Sequence, residues 1–155
     1  MQTLTVIIPT YNEAHYLEGA LYCLKFVDEI IVVDSMSSDA TVQIATDHGC
    51  KVISRKFDNF SNQKNHALQF ATCDWVLFLD GDERVTEALQ KEILEAIESN
   101  THTGYKLNFP HFYMNRFLYH HYNDVTRLVK RTNCHFEGNV HEKLIVNGSV
   151  GTLKN

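Results

Sequence analysis

No apolar run in this chain of 155 residues is long enough to cross a bilayer; the longest are the length of single strands. No stretch of five or more basic residues occurs, and the formal net charge is −5, so the basic face of a general nucleic-acid binder is missing. The four cysteines, Cys23, Cys50, Cys73 and Cys134, form no CxxC pair. Such scatter argues against a disulfide frame or zinc site and for reduced, mostly buried thiols in a cytosolic protein. The start, Met1-Gln-Thr-Leu-Thr-Val-Ile-Ile-Pro9, lacks the charged n-region and cleavage site of a secretory leader. Neither GxGxxG nor GxxxxGK followed by Ser or Thr is present, so no glycine-rich phosphate cradle is expected. His141-Glu142 is not followed by a second histidine at helical spacing, which excludes a zinc-protease motif. Internal repeats, low-complexity tracts and linkers are also missing. What remains is one domain, residues 1–155, large enough to bury a core.

The most informative stretch present is Asp74-Trp75-Val76-Leu77-Phe78-Leu79-Asp80-Gly81-Asp82-Glu83. Its apolar run, Trp75 to Leu79, reads as a buried strand that ends in a loop carrying three carboxylates. Asp80 and Asp82 are two residues apart, so extended geometry points both the same way. Converging carboxylates at a buried strand end are costly unless neutralised, and hard oxygen ligands suit Mg²⁺ or Mn²⁺. The competing reading is a solvated acidic loop that caps the next helix.

The first half alternates strands and helices. Leu4–Ile8, Glu29–Val33 and Lys51–Ser54 are strand-like, as is Trp75–Leu79. Helices are expected from about Glu13 to Phe26 with Asn12 as cap, through Ala45 to His48 with Ser38 or Asp39 as cap, over Phe60–Phe70, and over Glu87–Glu98 with Thr86 as cap. Near-continuous apolar strands separated by helices predict an α/β fold, a mostly parallel central sheet covered on both faces. Ligands of such sheets bind beyond the carboxyl ends of the strands. Three polar clusters fall there: Pro9-Thr-Tyr-Asn-Glu13, Asp34-Ser-Met-Ser-Ser-Asp39 and Asp80-Gly-Asp-Glu83. From His102 to Tyr122 the chain turns aromatic and histidine-rich, with poor periodicity, suggesting irregular structure or added antiparallel strands. Thr126–Lys130 and Lys143–Val146 read as short strands. Asn147-Gly-Ser matches a glycosylation sequon, but in a cytosolic protein it reads as a turn.

Chemically, the clusters suit a nucleoside diphosphate. A base can stack on Tyr11, the carboxylates Asp34 and Asp39 can read base or ribose, and the acidic pair can hold a metal at the diphosphate. With no glycine cradle, the remaining charge falls to Lys64, Arg127 or Arg131.

At this point the residues carry a resemblance. Val6-Ile-Ile-Pro-Thr-Tyr-Asn-Glu, Glu29-Ile-Ile-Val-Val-Asp-Ser-x-Ser-x-Asp-x-Thr, Gln63-Lys-Asn-x-Ala-Leu and Phe78-Leu-Asp-x-Asp-Glu together resemble a family 2 glycosyltransferase of the Rossmann-like GT-A fold. Arg127-Leu-x-x-Arg and Phe136-x-Gly-x-Val-His-Glu are similar to its lipopolysaccharide inner-core β-glucosyltransferase branch. The resemblance implies a nucleotide-sugar half, residues 1–100, and a partial acceptor half, residues 101–155. It also implies that Pro9, Tyr11, Glu13, Asp34 and Asp39 hold the uridine, with Lys64 near the nucleotide and Arg127 among the cations. Asp80 would contact ribose or metal and Asp82 would ligate Mg²⁺ or Mn²⁺, with His141 completing the shell or touching phosphate. Glu83 is expected to be structural.

Inverting members of the family use a carboxylate to deprotonate the acceptor hydroxyl; Glu142 is the first candidate and Glu137 the second. The implied partners are a UDP-sugar donor, with glucose as the sugar, and a saccharide or glycolipid acceptor such as lipopolysaccharide core. The implied location is cytoplasmic, with peripheral contact to the inner membrane. The aromatic stretch could serve as an acceptor platform, as packing, or as a membrane-surface contact. Members of the family are usually longer than this chain, the further part closing the acceptor side. A non-catalytic sugar-nucleotide-binding remnant or subunit is therefore the alternative expectation. A nucleotidyltransferase would need a glycine- and lysine-rich loop after the first strand, which Pro9-Thr-Tyr-Asn-Glu13 is not.

Overall fold

A computed structural model describes residues 1–113 and 116–155, with side chains outside 109–124. Strands β1 (Leu4–Thr10), β2 (Glu29–Asp34), β3 (Lys51–Ser54) and β4 (Trp75–Phe78) alternate with helices α1 (Ala14–Tyr22), α2 (Thr41–Asp47), α3 (Phe60–Leu68) and α4 (Glu87–Ser99). The long strands β5 (Gly104–Tyr113) and β6 (Arg116–Lys130) follow, then β7 (Cys134–Glu137), β8 (Lys143–Val146) and β9 (Val150–Thr152). The main sheet runs β3-β2-β1-β4-β6-β5-β9. Pairs among β3, β2, β1 and β4 are parallel, as is β5 with β9, while β6 runs antiparallel to both β4 and β5. The aromatic segment thus resolves into an antiparallel pair. Its side chains between 109 and 124 lie outside the described residues, and so do the platform and membrane-contact readings that rest on them.

Alternation along the strands divides the core in two. Leu4, Val6 and Ile8 of β1 face Leu17 and Leu21 of α1, Ala45 of α2, and Leu89, Ile93 and Ile97 of α4. Ile7 points the other way, to Ile31, Val33, Val76 and Phe78, under Ala67 of α3 and Phe136 of β7. Both faces are therefore covered, which is why these strands read as unbroken apolar runs. Helix α4 shows the local logic. Thr86 is its N-cap and accepts from the Leu89 N–H at 3.1 Å, the buried stripe recurs at Leu89, Ile93, Ala96 and Ile97, and Asn100 ends it in the left-handed region. Truncating Ile93 to Ala, at 0% exposure, would cost about 2–5 kcal/mol.

Two expected helix starts are corrected. Asn12 has φ 50 and its side-chain oxygen accepts from the Ser38 N–H at 2.9 Å, so it ties two loops together instead of capping α1. Asp39 sits one position outside the N-cap of its own helix, since α2 begins after Ala40, and serves two helix starts at once. Its carboxylate accepts from the Thr41 N–H at 2.9 Å and, across the loops, from the Ala14 N–H at 3.1 Å at the start of α1. Helix α1 also stops at Tyr22, short of Phe26, because the Cys23 and Leu24 N–H groups take i−3 carbonyls and tighten into turns.

The amino and carboxyl ends of the sheet treat acids differently. At the amino end, Asp28 accepts from the Leu4 N–H, Asp74 from the Thr3 N–H and hydroxyl, and Glu29 from the Thr5 hydroxyl. Those carboxylates stitch strands together. At the carboxyl end, Glu13, Asp80 and Asp82 line a cavity.

Candidate functional site

The cavity holds about 620 Å³ and lies beyond the carboxyl ends of β1, β2 and β4. Pairing of Thr10 with Asp34 and of Ile7 with Phe78 brings the three polar clusters to one edge. Pro9, Thr10, Tyr11 and Glu13 form the wall after β1, Ser35 the wall after β2, and Asp80, Gly81 and Asp82 the wall after β4. Phe57, Phe60 and Gln63, before and on α3, close another side, and Glu142 reaches in from the turn between β7 and β8. A volume of that size suits a small organic ligand.

The acidic wall is only partly neutralised, by the Arg127 guanidinium 3.8 Å from Asp80 Oδ2. Among the described residues, none donates a hydrogen bond to the Asp82 carboxylate, and the Asp80 side chain is half exposed. A Cβ added to Gly81 would sit 3.2 Å from the Glu13 side chain, so glycine lets the two loops close on each other. Burial first, and then the nearby charges of Asp82, Asp80 and Asp39, push the Glu13 carboxyl above its usual range. Three carboxylates around one cavity leave hard oxygen donors that a divalent cation would neutralise, so the residues fit Mg²⁺ or Mn²⁺ with further oxygens from a ligand. Among the described residues, no cluster of three or more His, Cys, Asp or Glu forms a self-contained metal cage.

Asp34 is buried and spends its oxygens internally, accepting from the Thr10 hydroxyl at 2.8 Å, the Ser37 hydroxyl at 2.6 Å and the Ser37 N–H at 2.9 Å. Asp39 is held below the usual carboxylate range, chiefly by the hydrogen bond from the Thr41 hydroxyl. Neither aspartate lines the cavity; both organise the loops that do. Lys64 likewise stands behind the wall. Its ammonium, 9% exposed, pairs with Glu142 Oε1 at 3.2 Å and lies over the Phe136 ring at 5.0 Å.

Arg127 is not among the lining residues and bears on the acidic loop: its guanidinium makes a two-point contact with Glu83 at 3.1 Å each and reaches the Phe78 carbonyl at 3.3 Å. Burial is the largest influence on Glu83 and raises its carboxyl, opposed by Arg127. Arg131 is removed from the site altogether. It donates to the Cys73 carbonyl at 2.7 Å, at the amino end of β4. The reason is register: Leu128 pairs Leu77 and Lys130 pairs Trp75, so four residues along β6 carry Arg131 past the opposite end of the strand. His141 is exposed and does not line the cavity, so it does not join the acidic pair. Glu137 is also exposed and pairs with His135 at 2.8 Å, so of the two glutamates Glu137 and Glu142 it is Glu142 that lines the cavity.

The turn that carries Glu142 is held by α3. Ser61 donates to the Gly138 carbonyl at 2.6 Å, Asn65 donates to the Phe136 carbonyl at 2.9 Å, and the Phe136 N–H donates back to Asn65 at 2.8 Å. Residues 61, 64 and 65 share one helical face. Gly138 has φ 99, where a Cβ would meet the His141 carbonyl at 2.6 Å. Sequence reasoning did not assign Ser61 and Asn65 these roles, although Asn65 stands inside the Gln63-Lys-Asn stretch. Phe57, half exposed and packed edge-on to Phe60 with ring centroids 5.0 Å apart, carried no sequence signal. Gln63 was visible only as part of the motif; it donates to the Ser35 hydroxyl at 2.9 Å and accepts from Arg55 at 3.0 Å.

Comparison with known proteins agrees with this architecture. The family described as Glycosyl transferase family 2 matches residues 5–152. An uncharacterized glycosyltransferase of Rickettsia bellii is 33% identical over 158 residues, covering 95% of this chain and 54% of that protein. The crystal structure of S. aureus TarS 1-349 in complex with UDP is similar with a TM-score of 0.62 and 27% identity, over 69% of this chain and 35% of that one. Glucosyl-3-phosphoglycerate synthase from Mycobacterium tuberculosis, crystallised with Mn²⁺, UDP and glucosyl-3-phosphoglycerate, shares the fold at a TM-score of 0.59 and 21% identity, over 68% of this chain and 43% of that one. The chain thus spans about half the length of the curated relative, or less of the solved structures. The mostly parallel sheet with helices on both faces is that of GT-A glycosyltransferases. Since the match runs from β1 to β9 and takes in every wall of the cavity, the chain belongs to glycosyl transferase family 2.

Proposed function

We propose that this chain carries the donor site of an inverting glycosyltransferase that moves a sugar from a UDP-sugar to a saccharide acceptor. The observation that carries this reading is the one cavity in which Tyr11, the acids Glu13, Asp80 and Asp82, and the Lys64-paired Glu142 converge. UDP in the TarS complex supports a uridine nucleotide here. Tyr11, exposed at the mouth, offers a ring face for the base, with Pro9 beside it. Asp34 and Asp39 act through the loops they fix. The presence of both Mn²⁺ and UDP in the complex of the mycobacterial synthase supports a divalent ion. Asp82, with Asp80 next to it, would hold Mg²⁺ or Mn²⁺, which when bound supplies positive charge to the departing diphosphate.

In this reading Glu142 takes the acceptor hydroxyl proton, and the oxygen attacks the anomeric carbon opposite the nucleotide. Lys64 orients that carboxylate by its ion pair, and α3 and the β7–β8 turn fix both. Residues 1–100 make the nucleotide-sugar half and residues 101–155 supply part of the acceptor half. Phe136-x-Gly-x-Val-His-Glu supports glucose as the sugar and lipopolysaccharide core as the acceptor, on the cytoplasmic face of the inner membrane. Among the described residues, no helix is long and apolar enough to cross a membrane.

Calorimetry with UDP, with and without Mn²⁺, tests the reading. UDP should bind, Mn²⁺ should tighten it, and Asp82→Asn should remove the tightening. Failure of UDP to bind at all would sink the proposal. UDP binding with no release of UDP from any UDP-sugar would leave a binding module in place of an enzyme.

A further inference from the structure

We propose that Arg127 and Glu83 form a positioning brace that sets the acidic loop for a divalent cation, controlling the metal-dependent part of nucleotide binding without touching the nucleotide. The proposal rests on the donor-site reading above. Its basis is a closed ring of hydrogen bonds around the loop. The Asp80 N–H donates to Glu83 Oε2 at 2.7 Å, and the Glu83 N–H donates back to the Asp80 carbonyl at 3.1 Å. The loop from 80 to 83 is therefore pinned at both ends, and Asp82 lies inside it.

The ring is then fastened to the sheet. Arg127 comes from β6, the antiparallel neighbour of β4, and crosses the end of β4 to reach the Phe78 carbonyl and both oxygens of Glu83. The Arg127 and Glu83 side chains are each 17% exposed, so this is a largely buried, two-point pair and not a solvated surface contact. The same guanidinium stands 3.8 Å from Asp80 Oδ2, close enough to bias that carboxylate without consuming it. Asp82 and Asp80 both repel the Glu13 carboxylate across the cavity. A loop with no brace would relieve that repulsion by moving apart, and the oxygens would no longer be spaced for one ion. Lysine cannot replace the brace, because an ammonium is a point charge and lacks the planar fork.

Arg127→Lys and Glu83→Gln are the variants to compare with wild type, each by calorimetry with UDP in EDTA and in saturating Mn²⁺, and each by thermal melting. Wild type should show a Mn²⁺-dependent gain in UDP affinity. In both variants that gain should shrink by about tenfold or more, with metal-free UDP affinity held within about twofold of wild type. An unchanged gain alongside a lowered melting temperature would overturn the brace and leave a purely structural pair. A matching loss of metal-free affinity would also overturn it, since Arg127 would then contact the nucleotide itself. Absence of any gain in wild type would remove the metal reading of the donor site, and the brace with it. Arg127→Lys keeps the buried positive charge, so it decides the question by the same ratio should Glu83→Gln fail to fold.

Discussion

Replacing Asn65 by alanine would separate the placement of Glu142 from the proposed donor site. Asn65 makes two hydrogen bonds to one residue, donating to the Phe136 carbonyl at 2.9 Å and accepting from the Phe136 N–H at 2.8 Å. Phe136 is buried against Phe78, edge to face at 4.7 Å, so alanine would leave its backbone groups short of partners. At about 1 kcal/mol for each bond, the β7–β8 turn should lose about 2 kcal/mol of its docking to α3. That corresponds to about a thirtyfold rise in local opening. Native-state hydrogen exchange of amides 134–146 reads this directly, and these should exchange about thirtyfold faster than in wild type. Amides of β1 and β4 should change only by the global loss of stability. Since Asn65 does not line the cavity, UDP affinity should stay within about twofold of wild type, while release of UDP from a UDP-sugar should fall with the loosened Glu142. Unchanged exchange at 134–146, or a drop in UDP affinity as large as the drop in turnover, would refute the reasoning.

Other outcomes follow from the same geometry. Glu142→Gln should leave UDP and Mn²⁺ binding intact by calorimetry and abolish transfer, because the amide cannot take a proton; full retention of transfer would exclude Glu142 as base. Glu13→Gln should stabilise the ligand-free protein at neutral pH. Its carboxyl is raised in the folded state, so the ionised form carries a penalty that is absent below the unfolded value of 4.5 and complete once pH exceeds the folded value. Thermal melts should therefore show a gain at pH 7 that vanishes below pH 4.5, and a gain equal at both would contradict the cause given. Thr86→Ala should cost about 1 kcal/mol in urea unfolding by removing the α4 cap, with no effect on UDP affinity.

Much of the fold was legible in sequence because its signals are local. Lys51–Ser54 and Lys143–Val146 appear with the expected bounds, and Thr86 caps α4 as its position before an apolar helical stripe implies. Where local reading failed, the determining partner was distant in sequence. Asn12 and Asp39 look like caps for the helices that follow them, yet each bonds across to the other loop, 26 and 25 residues away. The two arginines in Arg127-Leu-x-x-Arg could not be told apart as phosphate ligands by composition. Strand register sends one to the acidic loop and the other to the far end of β4.

The sequence by itself determined the α/β class, the three polar clusters at the strand ends and the exclusion of glycine-cradle and zinc-protease chemistry. It could do so because strand burial, residue type and spacing are properties of neighbouring positions. Tertiary structure alone decided which charged groups face the cavity and which stand behind it. Lys64 joins Glu142 across 78 residues, Arg127 joins Glu83 across 44, and Glu142 enters the cavity while His141, its neighbour, does not. Each of those choices is made where two segments distant in the chain meet, and a charge finds its partner there by packing and register.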